Sequence, residues 1–380
     1  MLKLRLPIAI ALAACFAAGA ARADLTLGVS LPLTGPASGL GIPMKNYFAL
    51  WPQTVAGEKI NLIILDDATD PTNGARNAKR FVTEDKVDVI MGSAATPVAI
   101  AMADIAAEAK TVQLMFSPAQ LPPGKDHWSF RLPQSNSVMS HAMIEHMKKQ
   151  GVKTVGFLGY TDAYGESWLT DFKAQSQQLG GPQVVAVERF ARADTSVTGQ
   201  ALKLVAANPD AMLIVASGSG AAMPHKGVVE RGYKGKIYQT HGVGNPDFLR
   251  VVGKDGNGTL LPIGPMLVYE QLPDSNPLKK TAAEYITKYE AKHGKDSRST
   301  FGGHAWDAYL LLARAIPEAL KKAKPGTKEF RAALRDALEN TKELVATHGV
   351  YTMTPQDHNG LDNRARTMIR IDNGKWVPAK

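Results

Sequence analysis

A chain of 380 residues, 44% hydrophobic and with a single cysteine at position 15, can bury the cores of two ordinary domains, but no disulfide, thiolate metal site or cysteine nucleophile serves them. Its 44 Lys and Arg outnumber its 35 Asp and Glu, yet the basic residues are scattered and not interleaved with aromatics along any one stretch, which argues against a nucleic-acid partner. No segment after residue 23 approaches the roughly 20 apolar residues that a membrane-spanning helix needs.

The first 23 residues read as a removable export signal. Lys3 and Arg5 precede an apolar stretch from Leu6 to Ala18, and Ala21-Arg22-Ala23 offers small residues around a cleavage point. Leu12-Ala13-Ala14-Cys15 also fits the pattern at which bacterial lipoproteins are cut and acylated. Cleavage after Ala23 is favoured because Phe16-Ala17-Ala18-Gly19-Ala20 carries the apolar segment past the cysteine. The expected location is the periplasm, with a lipoprotein anchored at Cys15 as the alternative. Removing Lys3, Arg5 and Arg22 lowers the formal charge from +9 to +6, and the densest basic run, Lys321 to Lys328, reads as a solvated helix end and loop.

Strand and helix signals then alternate. Leu25 to Leu33, Ile60 to Leu65, Val87 to Met91 and Val112 to Phe116 are short, mostly apolar runs of the kind that suits parallel strands covered on both faces. Between them, Ala75, Ala78, Phe81 and Val82 share one helical face, and Thr96-Pro97 opens another helix with Thr96 as the expected N-cap. A second set repeats the arrangement through Thr154 to Tyr160, a helix from about Tyr164, Val184 to Phe190, a helix around Ala201 to Ala207, Met212 to Val215, a helix to Arg231, and Lys236 to Gln239. Beyond Gly264 the pattern turns helical, with Trp306, Tyr309, Leu310 and Ala313 as core. Strands return from Gly349 to Trp376, where Asn373-Gly374 signals a two-residue hairpin. The fold class is α/β: two doubly wound parallel-sheet lobes joined near Gln134 to His141 by a hinge that the chain crosses more than once. The expected division assigns residues 24–140 plus about 267–347 to one lobe and 141–266 plus about 348–380 to the other.

Several stretches, in order along the whole chain after residue 23, together resemble the type I periplasmic binding proteins of ABC importers, in the branched-chain amino acid (Leu/Ile/Val-binding) group. They are Leu31 to Pro36, Asp66 to Pro71, Val87 to Ser93, Phe116 to Ala119, Tyr164-Gly165-Glu166 and Gly242-Val243-Gly244-Asn245. The resemblance implies two lobes that close on a ligand and hand it to a membrane permease, with no catalytic residue and no cofactor. A monomer is expected.

Gly92 to Pro97 ends a strand and begins a helix, where free N–H groups, hydroxyls and the positive helix end suit a carboxylate. In the family the matching loop holds the ligand's α-carboxylate, which nominates Ser93, Ala95 and Thr96; plain capping by Thr96 is the alternative. Ala119 matches a position that offers a backbone carbonyl, and Tyr164 matches the tyrosine with which the second lobe covers the ligand. The departures bear on the ligand. His241 stands where the family's amino acid binders carry a glutamate for the α-ammonium, Leu121 replaces a threonine, and Gly218-Ser219-Gly220-Ala221 lacks the usual tyrosines. With Ser219 and His241 added to the site, the expected ligand is a small carboxylate without a compulsory ammonium, such as an aromatic or short-chain acid. His241 would donate to its carboxylate or to a ring hydroxyl. A branched-chain or other amino acid in the same transport role, and an extracytoplasmic sensor, are the alternatives.

Enzyme readings fail on spacing. His141 and His146 are five apart, about 140° round a helix, so with Glu145 they make no zinc-protease helix and read as a solvated face. Asp66, Asp67 and Asp70 before Pro71 read as turn and cap chemistry, not a metal site. No Gly-x-Ser-x-Gly surrounds Ser167, Ser217 or Ser219.

Overall fold

The computed structural model describes residues 24–379; the export signal and the alternative acylation site at Cys15 lie outside the described residues. The first sheet holds β1 (Leu25–Leu31), β2 (Thr54–Val55), β3 (Glu58–Asp66), β4 (Val89–Gly92), β5 (Val112–Met115) and β6 (Ser129–Arg131), in the order β2-β3-β1-β4-β5-β6. All its pairings are parallel except β2 with β3. Strands β4 and β5 are buried along their whole length, as parallel strands sandwiched between helices must be. Helices α1 (Ser38–Phe48), α2 (Pro71–Thr83) and α3 (Thr96–Glu108) make the connections. Asp70 caps α2 through Asn73 N at 2.8 Å, and Asp66 accepts from the main chain of Leu33, Thr34 and Ala68, so both aspartates serve the turn as expected.

Helix α4 (Asn136–Lys149) leads to the second sheet. This sheet contains β7 (Thr154–Tyr160), β8 (Gln183–Phe190), β9 (Ala211–Val215), β10 (Lys236–Gln239) and β11 (Leu260–Ile263), connected by α5 (Ala163–Leu179), α6 (Thr198–Ala206), α7 (Ala222–Glu230) and α8 (Pro246–Val252). After α9 (Leu278–His293), α10 (Thr300–Leu320), α11 (Lys328–Glu339) and a small ribbon of β12 (Leu344–Val345) and β13 (Val350–Tyr351), the chain adds β14 (Thr367–Asp372) and β15 (Lys375–Pro378). The order is β15-β14-β11-β10-β9-β7-β8, parallel in its β8 to β11 portion and antiparallel at the β14–β15 edge. Asn373 and Gly374 close that hairpin with φ of 50° and 73°, the left-handed pair a two-residue turn demands.

Although α10 follows the second sheet in sequence, it packs against the first. The Trp51 indole donates to the Ala305 carbonyl at 3.2 Å, and the Tyr47 ring meets Trp306 at 5.4 Å. The chain therefore passes between the sheets at 132–135, at 264–277 and at 344–366. Buried side chains stitch the crossings together: Tyr351 donates to Leu132 O at 2.7 Å, and Gln134 to His348 O and Ala365 O at 3.3 and 2.9 Å.

Three local expectations need correction. The N-cap of α3 is Ala95, and among the described residues no side chain closes that helix start, so Thr96 does not cap it. His146 is buried and bonds the Tyr238 hydroxyl at 2.9 Å; only His141 and Glu145 share the outer face, 3.3 Å apart. Strands β2, β6 and β12 went unread because two or three residues cannot display a period.

Candidate functional site

Both sheets direct the carboxyl ends of their parallel strands at one cleft, the place where open α/β sheets leave room for ligands. Leu40 reaches it from the segment after β1, Ala94 and Thr96 from after β4, Phe116 and Pro118 from after β5, and Pro133 from after β6. From the other side come Tyr164 after β7, Arg192 after β8, Ser217 after β9, and His241 with Gly242 after β10. Phe301 and His304, from the first turns of α10, complete the lining of a cleft whose cavity volume is about 20 Å³. Its rims touch: the Gln120 amide donates to Asp171 at 2.6 Å, and a Cβ at Gly218 would lie 2.8 Å from Leu40 Cδ1.

The polar groups are sorted by what already occupies them. Arg192, largely buried over the Tyr160 ring at 4.1 Å, donates through Nε to Asp162 at 2.5 Å and through Nη1 to Ser217 Oγ at 3.0 Å. Asp162 in turn caps α5 through the Tyr164 and Gly165 N–H groups, which fixes where Arg192 points. The Tyr164 hydroxyl shares a 2.8 Å bond with Thr240 Oγ1, and burial raises its pKa far above the ordinary phenol value. It therefore acts as a neutral phenol.

His241 and His304 differ from these. Among the described residues neither ring has a hydrogen-bond partner, and each keeps a buried Nδ1 unmet. Burial, reinforced by the neighbouring His348, pushes the His241 pKa down to about 3 and that of His304 well below the usual imidazole value. Each unmet buried nitrogen costs on the order of 1–3 kcal/mol in a dry site. Among the described residues, no acidic side chain lines the cleft.

Behind His304 lies a polar knot at the third crossing. The His304 ring stacks on His348 with centroids 3.8 Å apart and planes 19° off parallel. His348 Nδ1 meets Asp307 Oδ2 at 2.9 Å, its Nε2 meets Thr300 Oγ1 at 2.7 Å, and Thr347 bonds the other Asp307 oxygen through N and Oγ1. The donor atoms of His304, Asp307 and His348 lie within 4.8 Å of one another. Stacked rings hold their lone pairs nearly parallel, whereas ligation of one ion at about 2 Å requires them to converge. The geometry suits a hinge network better than a metal centre.

Of the residues singled out in the sequence, Thr96, Tyr164 and His241 meet in the cleft. Ser93, Ala95 and Ala119 sit one layer behind, while their neighbours Ala94 and Pro118 reach it. Ser93 Oγ donates to the buried Asp67 at 2.8 Å and receives the Ala95 N–H at 3.3 Å, so its hydroxyl is spent on the strand end; Ala119 packs with Ala99, Ala103 and Met115. Ser219 lines a separate outer cleft beside Thr195, Met223 and Lys226. Arg192, Ser217, Phe301 and His304 were missed. Arg192 carried a usable signal, a lone cation just past a strand's carboxyl end, whereas nothing local marks a helix that returns from the far sheet.

Residues 24–375 match the family described as periplasmic binding protein. A protein named Leu/Ile/Val-binding protein homolog 3, from Brucella melitensis, is 24% identical to this chain and aligns over 99% of each. An extracellular ligand-binding receptor from Rhodopseudomonas palustris HaA2 is 48% identical, with 94% of this chain and 100% of that one covered and a TM-score of 0.92. A solute binding protein of an ABC transporter from R. palustris, solved in complex with benzoate, has the same fold at 21% identity and a TM-score of 0.77, with 94% and 95% covered.

Proposed function

The chain belongs to the periplasmic binding protein family, in its branched-chain amino acid (Leu/Ile/Val-binding) group, and from this premise we propose that it captures a small carboxylate lacking an ammonium group, aromatic acids foremost. It is an extracytoplasmic ligand-binding protein of the ABC-transporter type. In the proposed cycle the two lobes, residues 24–140 with about 267–347 and 141–266 with about 348–380, close about the three crossings. The monomer then delivers its ligand to a membrane permease.

The observation that carries this reading is the charge of the cleft lining: Arg192 and two neutral imidazoles, with no acidic side chain among the described residues. An α-ammonium buried there would stand without a counter-charge, at a penalty of several kcal/mol. The nearby carboxylates are committed elsewhere, Asp162 to Arg192 and Asp307 to His348. A carboxylate, by contrast, would meet Arg192, the Thr96 hydroxyl and the open N-terminal end of α3. Leu40, Phe116, Pro118, Pro133 and Phe301 supply apolar and aromatic walls for a flat ring.

The competing reading, a branched-chain amino acid, draws on the name of the 24%-identical relative. A thermal-shift panel separates the two, since a ligand at 100 times its Kd adds about 2.7 kcal/mol to stability. Benzoate, phenylacetate and cinnamate should raise Tm, and leucine, isoleucine and valine should not. The opposite pattern would overturn the proposal.

A further inference from the structure

The carboxylate reading leaves His241 and His304 unexplained. They reach the cleft from different bodies, His241 from the segment after β10 and His304 from α10. Both are nine-tenths or more buried, and neither ring bonds to another of the described residues. Structural histidines in this molecule look different: His348 has both ring nitrogens engaged, and His146, His225 and His358 each bond through at least one. Unmet buried donors and acceptors that line a binding cleft point to a group on the ligand.

Resting on the carboxylate reading above, we infer that His241 and His304 form a second recognition point that takes a ring hydroxyl, so that the ligand is a hydroxylated aromatic carboxylate. The chemistry selects the hydroxyl over other polar groups. A neutral imidazole has one N–H and one lone pair. A hydroxyl both donates and accepts, so one ring can give it a proton and the other receive its own. A second carboxylate only accepts, so both rings would have to donate to it, and its charge would stand without a partner because burial and His348 hold both rings uncharged. An ammonium only donates, and finds no carboxylate. An unsubstituted ring would leave both histidines unpaired, and sites built to hydrogen-bond a hydroxyl reject the analogue that lacks it.

The test is calorimetric titration of the protein comprising residues 24–380 with matched pairs: benzoate against 3- and 4-hydroxybenzoate, and cinnamate against 4-hydroxycinnamate. The wild type should bind the hydroxylated member of at least one pair about tenfold tighter or more. In His304→Phe, which keeps the stack on His348, and in His241→Phe, that ratio should fall to within about threefold. If the wild type binds both members of every pair equally, the hydroxyl assignment is overturned and the carboxylate reading stands. If leucine binds and no aryl acid does, both fall. The wild-type ratios are decisive even if a variant fails to fold.

Discussion

At Arg192 a single guanidinium is shared between an internal acid and the space meant for a ligand. Its bonds to Asp162 and Ser217 hold the plane in place, and such charge-assisted contacts are worth about twice a neutral one. Arg192→Gln should therefore weaken binding of aryl carboxylates by about tenfold to a hundredfold in calorimetry, and Arg192→Lys, lacking the planar fork, should recover little of it. A second residue-scale expectation concerns pH. Asp67 is buried among Ser30, Ser93 and the Thr69 N–H, and desolvation outweighs those bonds, raising its pKa to about 6. The native state then holds a proton that the unfolded chain, at about 3.9, releases earlier, so stability from this group falls as pH rises from about 4 to 6 and levels off above. The loss is on the order of 3 kcal/mol. Urea unfolding of the wild type and Asp67→Asn at pH 4.5 and 7.5 should show that drop in the wild type relative to the variant.

Elements were legible where their sequence had a period to display. Residues 154–160, 236–239 and the Asn373-Gly374 turn lie where the apolar runs and turn chemistry put them, because strand burial and left-handed φ are local demands. The site was legible only where a strand end fixes it: Thr96, Tyr164 and His241 each follow a strand directly, whereas Phe301 and His304 depend on α10 doubling back to the first sheet. Ser93, Ala95 and Ala119 fall just outside the lining because alternation at a strand end decides which neighbour faces the cleft. The start of α5 offers a test of how tightly an element holds the site. A Cβ at Gly165 would sit 1.8 Å from the Tyr160 carbonyl oxygen, so Gly165→Ala must push the helix start away. Denaturant titration should report a loss of about 2–3 kcal/mol, and ligand affinity should drop as well because Tyr164 moves with it.

On the scale of the molecule, the bodies meet at the cleft rims and at three crossings, and among the described residues no helix is long and apolar enough to span a membrane. The Gln120–Asp171 bond joins the loop after β5 to α5 across the opening. Gln120→Ala should speed ligand release about threefold to tenfold in stopped-flow measurements and leave the association rate little changed, since a clasp made after encounter acts on departure. The unpaired imidazoles of His241 and His304 have a last consequence. Shutting over vacant space strands their nitrogens away from solvent, so the shut form is disfavoured until a guest supplies what they lack. The histidines would thus guard against idle trips to the transporter, making the cargo itself the final piece that renders the clamp comfortable when shut.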